Sequence, residues 1–517
     1  MTWDNSAITI ATFLPIVGAL VIALVPRTFD RAVRALGIVF SGAALVVAVA
    51  IAGGFDYAAA PPGLYSSGLQ FSVNTSWIPA IGARYHVGID GISLPLYVLT
   101  FALSFLCCVY SWRIIPSPGK TKAFLALVLI LETGMAGTFI AFDLVLFFIF
   151  WELVLVPMYF LIGIWGSANR EYAAIKFFLY TLFGSVFMLL GFLGMYFRSN
   201  VGGAHTFDMV LLQGFAQNGG FSHGFQLVVF GAVGLGFAIK VPMWPFHTWL
   251  PDAHTEAPTV GSVLLAGILL KMGTYGFVRI ALPLLPYAAQ RYAPWIGLLA
   301  AIAIVYGALA CLAQRDLKRL IAFSSVGHMG FVMLGIATLT TIGIQAAIFG
   351  MVAHGIITGM LFFCVGSLYD RYHTRQISEI GGGVMQKVPY LGGVFAFVAI
   401  ASLGLPGLAG FWGEVMALLS SFNPAASQST AIFRAFMVAG GVGTILTAGY
   451  FLWMLQRVNM GTLPEQWKAS AFSDVISVEW VSWVPLLVGI VALGLYPRFL
   501  FGITDGAVSG LARIFGG

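Results

Sequence analysis

The sequence predicts an all-α polytopic membrane protein of about 14 transmembrane helices, and three observations carry that expectation. Only 9% of the 517 residues are charged, 60% are hydrophobic, and the mean hydropathy is +0.95. A soluble domain carries about 25% charged residues, so a water-exposed surface is hard to build here. The apolar stretches are also long and unbroken, unlike the ~10-residue alternating segments of a barrel. At about 20 residues per span, the chain has room for roughly 12–15 spans.

The elements follow in order from the apolar runs. Helices 1–3 are expected near 6–26, 33–53 and 89–112. The first, from Ile8 to Val25, has no basic region before it and no small-residue cleavage motif after it, so it reads as a retained helix. Helices 4–8 are expected near 122–141, 143–166, 173–197, 225–249 and 257–282. Helices 9–13 fall near 293–313, 319–338, 342–368, 388–418 and 430–456, and helix 14 near 479–501. The long loop 54–88 is aromatic and Gly/Pro-rich, which suits an external cap; loop 457–478 has mixed charge and suits an interfacial segment.

Fourteen spans put both termini on one side. Of the 25 basic residues, sixteen (from Arg27 to Lys468) fall on one set of loops and helix ends and seven on the other. Lys240 and Lys271 fall in neither set. The richer set is cytoplasmic by the positive-inside rule, which leaves both termini outside a bacterial inner membrane. The basic residues do not cluster in a soluble patch, so no nucleic-acid partner is expected despite the net charge of +6. The four cysteines (Cys107, Cys108, Cys311 and Cys364) lie in apolar stretches without metal-ligand spacing. No haem, iron–sulfur, flavin or dinucleotide signature is present, so any redox chemistry belongs to a partner.

Two helices are interrupted. Helix 7 reads AIKVPMWPFHTW, with Pro242 and Pro245; helix 12 reads ASLGLPGLAGFWGE, with Gly404, Pro406, Gly407 and Gly410. Proline removes a backbone donor and glycine permits a bend. The freed polar groups are tolerated only against protein or a water-filled cavity. The breaks are five helices apart. Within a single membrane domain, 1–517, residues 122–282 and 293–456 therefore read as two five-helix units of opposite topology.

Apolar stretches also hold Glu132, Glu152, Lys240, Lys271, His328, His354 and Glu414. A charge at mid-helix costs about 2.5–3.5 kcal/mol on insertion scales, so several together need pairing, hydration or a function. In the repeat frame Glu152 corresponds to His328, and Lys240 to Glu414. Titratable groups joined through the membrane centre are what proton transfer requires. A carboxylate moving toward or away from an amine changes how tightly the amine holds its proton. The structural readings are ion pairs that lock helices, snorkelling lysines and a hydrogen-bonded core histidine. His247, Asp252, His254 and Glu256 follow the helix 7 break; a polar uptake route suits them better than a metal site, whose spacing they do not match. Glu132 and His354 are weaker candidates for the same path. The run QRDLKRL at 314–320 reads as a loop and orientation signal.

At these residues the chain resembles a known family. FFIFWELVLVPMYFLIGIWG at 147–166, FHTWLPDAHTEAPTVGSVLLAGILLKMGTYGFVRI at 246–280, QRDLKRLIAFSSVGHMGF at 314–331 and LPGLAGFWGE at 405–414 are similar to the antiporter-like subunits of NADH:quinone oxidoreductase. The likeness is greatest to the M type, the counterpart of mitochondrial chain four. It implies that Glu152 and Lys240 form a coupling pair, that Lys271 and His328 relay protons, and that Glu414 is the terminal group. Sister subunits of the L and N types carry lysine at that last position. The resemblance further implies L-type and N-type neighbours, lipid contact, and peripheral partners holding FMN and iron–sulfur clusters, with no cofactor in this chain. A subunit of a multisubunit sodium/proton antiporter or membrane-bound hydrogenase shares the core motifs. A passive membrane scaffold is the alternative of another class.

Overall fold

The computed structural model describes residues 3–26, 28–57 and 68–516, with side chains described from residue 6 onward. Arg27 of the basic set, residues 58–67 of the long loop and the extreme ends of the chain lie outside the described residues. Among those described, thirteen helices are long and apolar enough to cross a membrane. They are α1 (Trp3–Leu24), α2 (Asp30–Gly54), α3 (Ser93–Tyr110), α4 (Thr121–Ile140), α5 (Leu144–Leu153, resumed at Leu155–Trp165) and α6 (Arg170–Arg198). There follow α7a (His223–Lys240), α8 within Thr259–Leu284, α9 (Pro286–Leu312), α10 (Leu317–Ala337), α11 (Thr341–Tyr372), α13 (Thr430–Val458) and α14 (Ser477–Leu495). The remaining expected helix is split by its break into α12a (Pro389–Ser402) and α12b (Ala409–Phe422), so neither half reaches spanning length. An end helix, α15, covers Arg498–Ala512.

Both interruptions lie where Pro and Gly put them. After α7a the chain is non-helical from 241 to 248 and then resumes as α7b (Trp249–Glu256). The break satisfies some of its own polar groups: the Trp249 indole donates to Ile239 O (2.9 Å), and Met243 N to Ala238 O (2.9 Å). In helix 12 residues 403–408 are non-helical, and Gly404 holds φ +74°. A Cβ on Gly404 would stand 2.9 Å from Glu414 Oε2, so glycine here serves both the bend and the carboxylate beside it. Helix α14 closes against this break, with Gly494 packed on Gly407 O and the Trp412 indole donating to Gly494 O (2.8 Å).

The long loop departs from the all-helical expectation. Gln70–Ile78 (β1) and Ala83–Ile89 (β2) form an antiparallel hairpin turned at Gly82, φ +66°. The hairpin extends over the α4–α5 corner. Phe142 N donates to His86 O (2.8 Å), and Met209 N to Phe142 O (2.8 Å), so residues 141–143 lie between β2 and the segment before the short helix Met209–Gln217. Asp143 accepts from Val145 N (2.9 Å), Leu146 N (3.1 Å) and Arg84 N (3.0 Å), capping α5 and fastening the hairpin at one point. Burial pushes its carboxyl up, against the pull of those three donors.

A buried ion pair joins this face to the core. Arg279 Nη2 of α8 meets Asp90 Oδ1 at 2.6 Å, with the guanidinium over the Phe142 ring (4.8 Å). Burial acts to raise the Asp90 carboxyl, but Arg279 and the bonds from Ser93 outweigh it and hold it below the usual range. A depressed carboxyl contributes stability above its unfolded pKa and loses it as pH falls through the folded value. The contribution is therefore complete at neutral pH and fades only below the ordinary carboxylate range. Asp90→Asn should leave Arg279 buried without its counter-charge and destabilise this chain by about 3–5 kcal/mol. Thermal unfolding of the purified assembly checks this; an unchanged transition would show that the pair bears no weight.

Candidate proton path

The site is built on α8, α10, α11 and α12, which meet in the interior. Helix α8 is buried throughout its apolar window and carries two π turns, Leu265–Leu269 and Phe277–Ala281, on either side of Lys271. Lys271 is fully buried. Its ammonium donates to Ala266 O, a carbonyl in the wide first turn, and lies 2.6 Å from His354 Nδ1. When Lys271 donates, His354 carries its own proton on Nε2. The His354 ring of α11 stands 5.8 Å from the His328 ring of α10. His328 Nδ1 reaches Glu414 Oε1 at 2.9 Å, and its Nε2 reaches Ser402 Oγ at 3.0 Å. The second break places both of these partners: Ser402 ends α12a, and Glu414 lies in the second turn of α12b.

A cavity of ≈ 30 Å³ adjoins the row, lined by His328, His354, Thr358, Ser402 and Glu414. That is room for about two waters. His354 Nε2, Thr358 Oγ1 and Glu414 Oε2 are buried with no hydrogen-bond partner among the described residues. An amine, two imidazoles and a carboxylate thus stand in sequence, each within a bond or a bridging water of the next. Such a row can pass protons by alternate donation and acceptance.

Three expected residues take a different place. Lys240 is buried at the end of α7a with its ammonium 5.1 Å from the Trp151 ring centre, and Trp151 is anchored to Ser185 Oγ (2.9 Å). Glu152 is only half-buried, and its charge is within electrostatic range of Lys240. Glu132 sits apart, with Ser41 of α2 donating to its Oε1 (3.0 Å).

The residues after the first break do not converge. His247 faces Tyr306 (4.9 Å between rings). Asp252 pairs with Lys176 (2.7 Å) and Arg319 (3.4 Å), so it ties α7b to α6 and α10. Glu256 accepts from Asn169 N (3.0 Å). His254 is buried with its ring stacked on Phe362 (4.6 Å), in electrostatic range of Lys318 and Lys271. Among the described residues no group of three or more His, Cys, Asp or Glu is placed to hold a metal. Lys318, read from sequence as a loop cation, is instead buried, and its ammonium donates to Ala257 O. It lines a cavity of ≈ 520 Å³ with Glu256, Asp370 and Arg375 at the basic face.

Helices interrupted near buried charge, with a titratable row beside the second break, define the class of an antiporter-like membrane subunit. The model of the family described as "NADH:quinone oxidoreductase/Mrp antiporter, TM" matches residues 141–447. The chain is 40% identical to NADH-quinone oxidoreductase subunit M of Rhodobacter capsulatus, over 98% of this chain and 97% of the relative. It is 38% identical to NADH-ubiquinone oxidoreductase chain 4 of Arabidopsis thaliana, over 96% and 95%. This chain therefore belongs to the subunit M family of NADH:quinone oxidoreductases. Among solved structures it is similar to a chain of respiratory complex I from Thermus thermophilus with bound NADH, at 27% identity and TM-score 0.84, covering 99% of this chain and all of that one. A chain of the Mrp complex from Dietzia sp. shares the fold, at 19% identity and TM-score 0.84, with 99% of each chain covered.

Proposed function

We propose that this chain is a proton-translocating membrane-arm subunit of a respiratory NADH:quinone oxidoreductase. Protons cross through buried charged groups, driven by redox chemistry in partner subunits that carry FMN and iron–sulfur clusters. L-type and N-type antiporter-like subunits are its expected neighbours. The observation that carries the reading is the row Lys271–His354–His328–Glu414, hydrogen-bonded at both ends and hydratable in the middle. Uptake runs from the basic face through the cavity at Lys318 and past His254. Glu152 and Lys240 act as the coupling pair, with Trp151 beside the ammonium. The basic face is cytoplasmic, and the hairpin and both termini face outward. The two five-helix units, 122–282 and 293–456, are inverted repeats that place the two breaks in register. The much higher identity to M-type relatives than to the Mrp chain favours the oxidoreductase over a sodium/proton antiporter.

His354→Leu tests the row, because it removes both ring nitrogens between Lys271 and His328. Proton pumping by inverted vesicles and coupled quinone reduction should fall about tenfold or more. NADH oxidation by an artificial acceptor should persist, since such acceptors take electrons ahead of the membrane arm. Undiminished pumping in an assembled complex would remove His354 from the path.

A further inference from the structure

At the basic face a second, separate groove opens between the ends of α9 and α13. Its volume is ≈ 520 Å³, and its lining includes Leu312, Gln314, Arg315, Ser378, Trp453 and Arg457. Both arginines are exposed. The ion pairs nearby, Arg375–Asp316 (3.3 Å) and Arg319–Asp252 (3.4 Å), include neither of them. Among the described residues none of those lining the groove is acidic. The closest acidic residue in sequence to Ser378, Glu379, turns to Thr374, whose hydroxyl donates to it.

The walls are held in place. Arg315 O accepts from Ile377 N (2.9 Å), and Arg375 O from Leu317 N (2.9 Å), which joins the two basic segments as a short bridge. The Arg457 guanidinium lies over the Trp453 ring at 4.4 Å. That contact orients the guanidinium while leaving its N–H fork for an acceptor. Leu309, Leu312, Ile445 and Leu452 expose apolar side chains on the same two helices.

We infer that this groove binds an anionic phospholipid, its phosphate held by Arg315 and Arg457 and its acyl chains laid along α9 and α13. Charge is the first argument: two arginine forks without competing carboxylates match a phosphate diester. Position is the second. A basic pocket between spanning helices, at the end where the chain meets the headgroup layer, suits anionic lipids, which are enriched in the cytoplasmic leaflet. The inference rests on the membrane orientation proposed above, but not on the proton path. Trp453 supplies the amphipathic ring expected at that depth.

The test uses the assembled complex in liposomes of phosphatidylcholine doped with photoactivatable phosphatidylglycerol. Labelling is expected on peptides spanning 312–315 and 453–457, and about tenfold weaker for R315Q/R457Q. Photoactivatable phosphatidylcholine at the same dose should label these peptides far less. Free glycerol phosphate should not compete; if it did, the site would be for a soluble anion and the lipid reading would fall. Equal labelling by both lipids would also overturn it, as would no labelling of wild type, the outcome if a neighbouring subunit covers the groove. Should the double variant fail to assemble, the preference between the two lipids on wild type decides alone. Loss of that preference with pumping intact overturns the lipid site only, so its failure is distinguishable from that of the proton path.

Discussion

Lys271→Met should abolish proton translocation by this subunit while leaving the complex assembled. Methionine keeps the length and apolar stem of lysine but removes its charge and its donors. Lys271 is fully buried, so the change adds no cavity of consequence and deletes a costly ion, and helix α8 has no reason to unfold. What is lost is the bond to His354 Nδ1 at 2.6 Å, the contact through which the proposed path would pass a proton. The expected loss in coupled pumping is on the order of 10²-fold, with artificial-acceptor NADH oxidation retained. Lys271→Arg should not rescue it. A guanidinium does not give up its proton in the accessible range, so it can fill the charge but cannot relay. Pumping at wild-type level in Lys271→Met would show that the ammonium is structural.

Glu152→Gln is expected to lower pumping and coupled NADH oxidation together, by about tenfold, without a loss of assembly. Glutamine retains the shape at a half-buried position, so packing is unaffected. In the proposed coupling, Glu152 would modulate Lys240, whose ammonium stands near the Trp151 ring, rather than neutralise it permanently. In that proposal, glutamine would remove the variable part of the field at Lys240. Trp151→Leu should act differently, disturbing both the ammonium and the Ser185 anchor. If Glu152→Gln pumps normally, the pair does not couple anything.

Helix order, both breaks and most of the buried charges were legible in the sequence, because each rests on a local cue: long apolar runs, Pro242 and Pro245, Gly404 and Gly407. Contacts between distant positions were not. His354 reads as a weaker candidate for the path, and only packing brings it to Lys271, 83 residues earlier. The Asp90–Arg279 pair spans 189 residues, and Arg279 counted from sequence as a peripheral charge. Lys318 followed Arg315 and Asp316 in a run that reads as loop, yet α10 begins at Leu317 and carries it inside. The β hairpin escaped notice because aromatic, Gly and Pro residues mask its alternation. Glu152 lies near the middle of α5, as expected, and is half-buried there.

The complete burial of α8 bears on how the chain is made. Its segment Thr259–Leu284 carries Lys271 and Arg279, yet exposes none of its apolar window to lipid. Two such cations would each cost about 2.5–3.5 kcal/mol on leaving the translocon alone, which a window of modest hydropathy can scarcely offset. The carboxylate of Asp90 is synthesised earlier and waits at the start of α3, so Arg279 can be neutralised as it emerges. Lys271 has no such forerunner, since His354 is translated 83 residues later. Biogenesis is thereby ordered: α8 must linger beside the insertion machinery, or under a chaperone, until α11 arrives to enclose it. Truncations ending before Thr341 should accordingly be cleared by membrane proteases, whereas those ending after Tyr372 should persist.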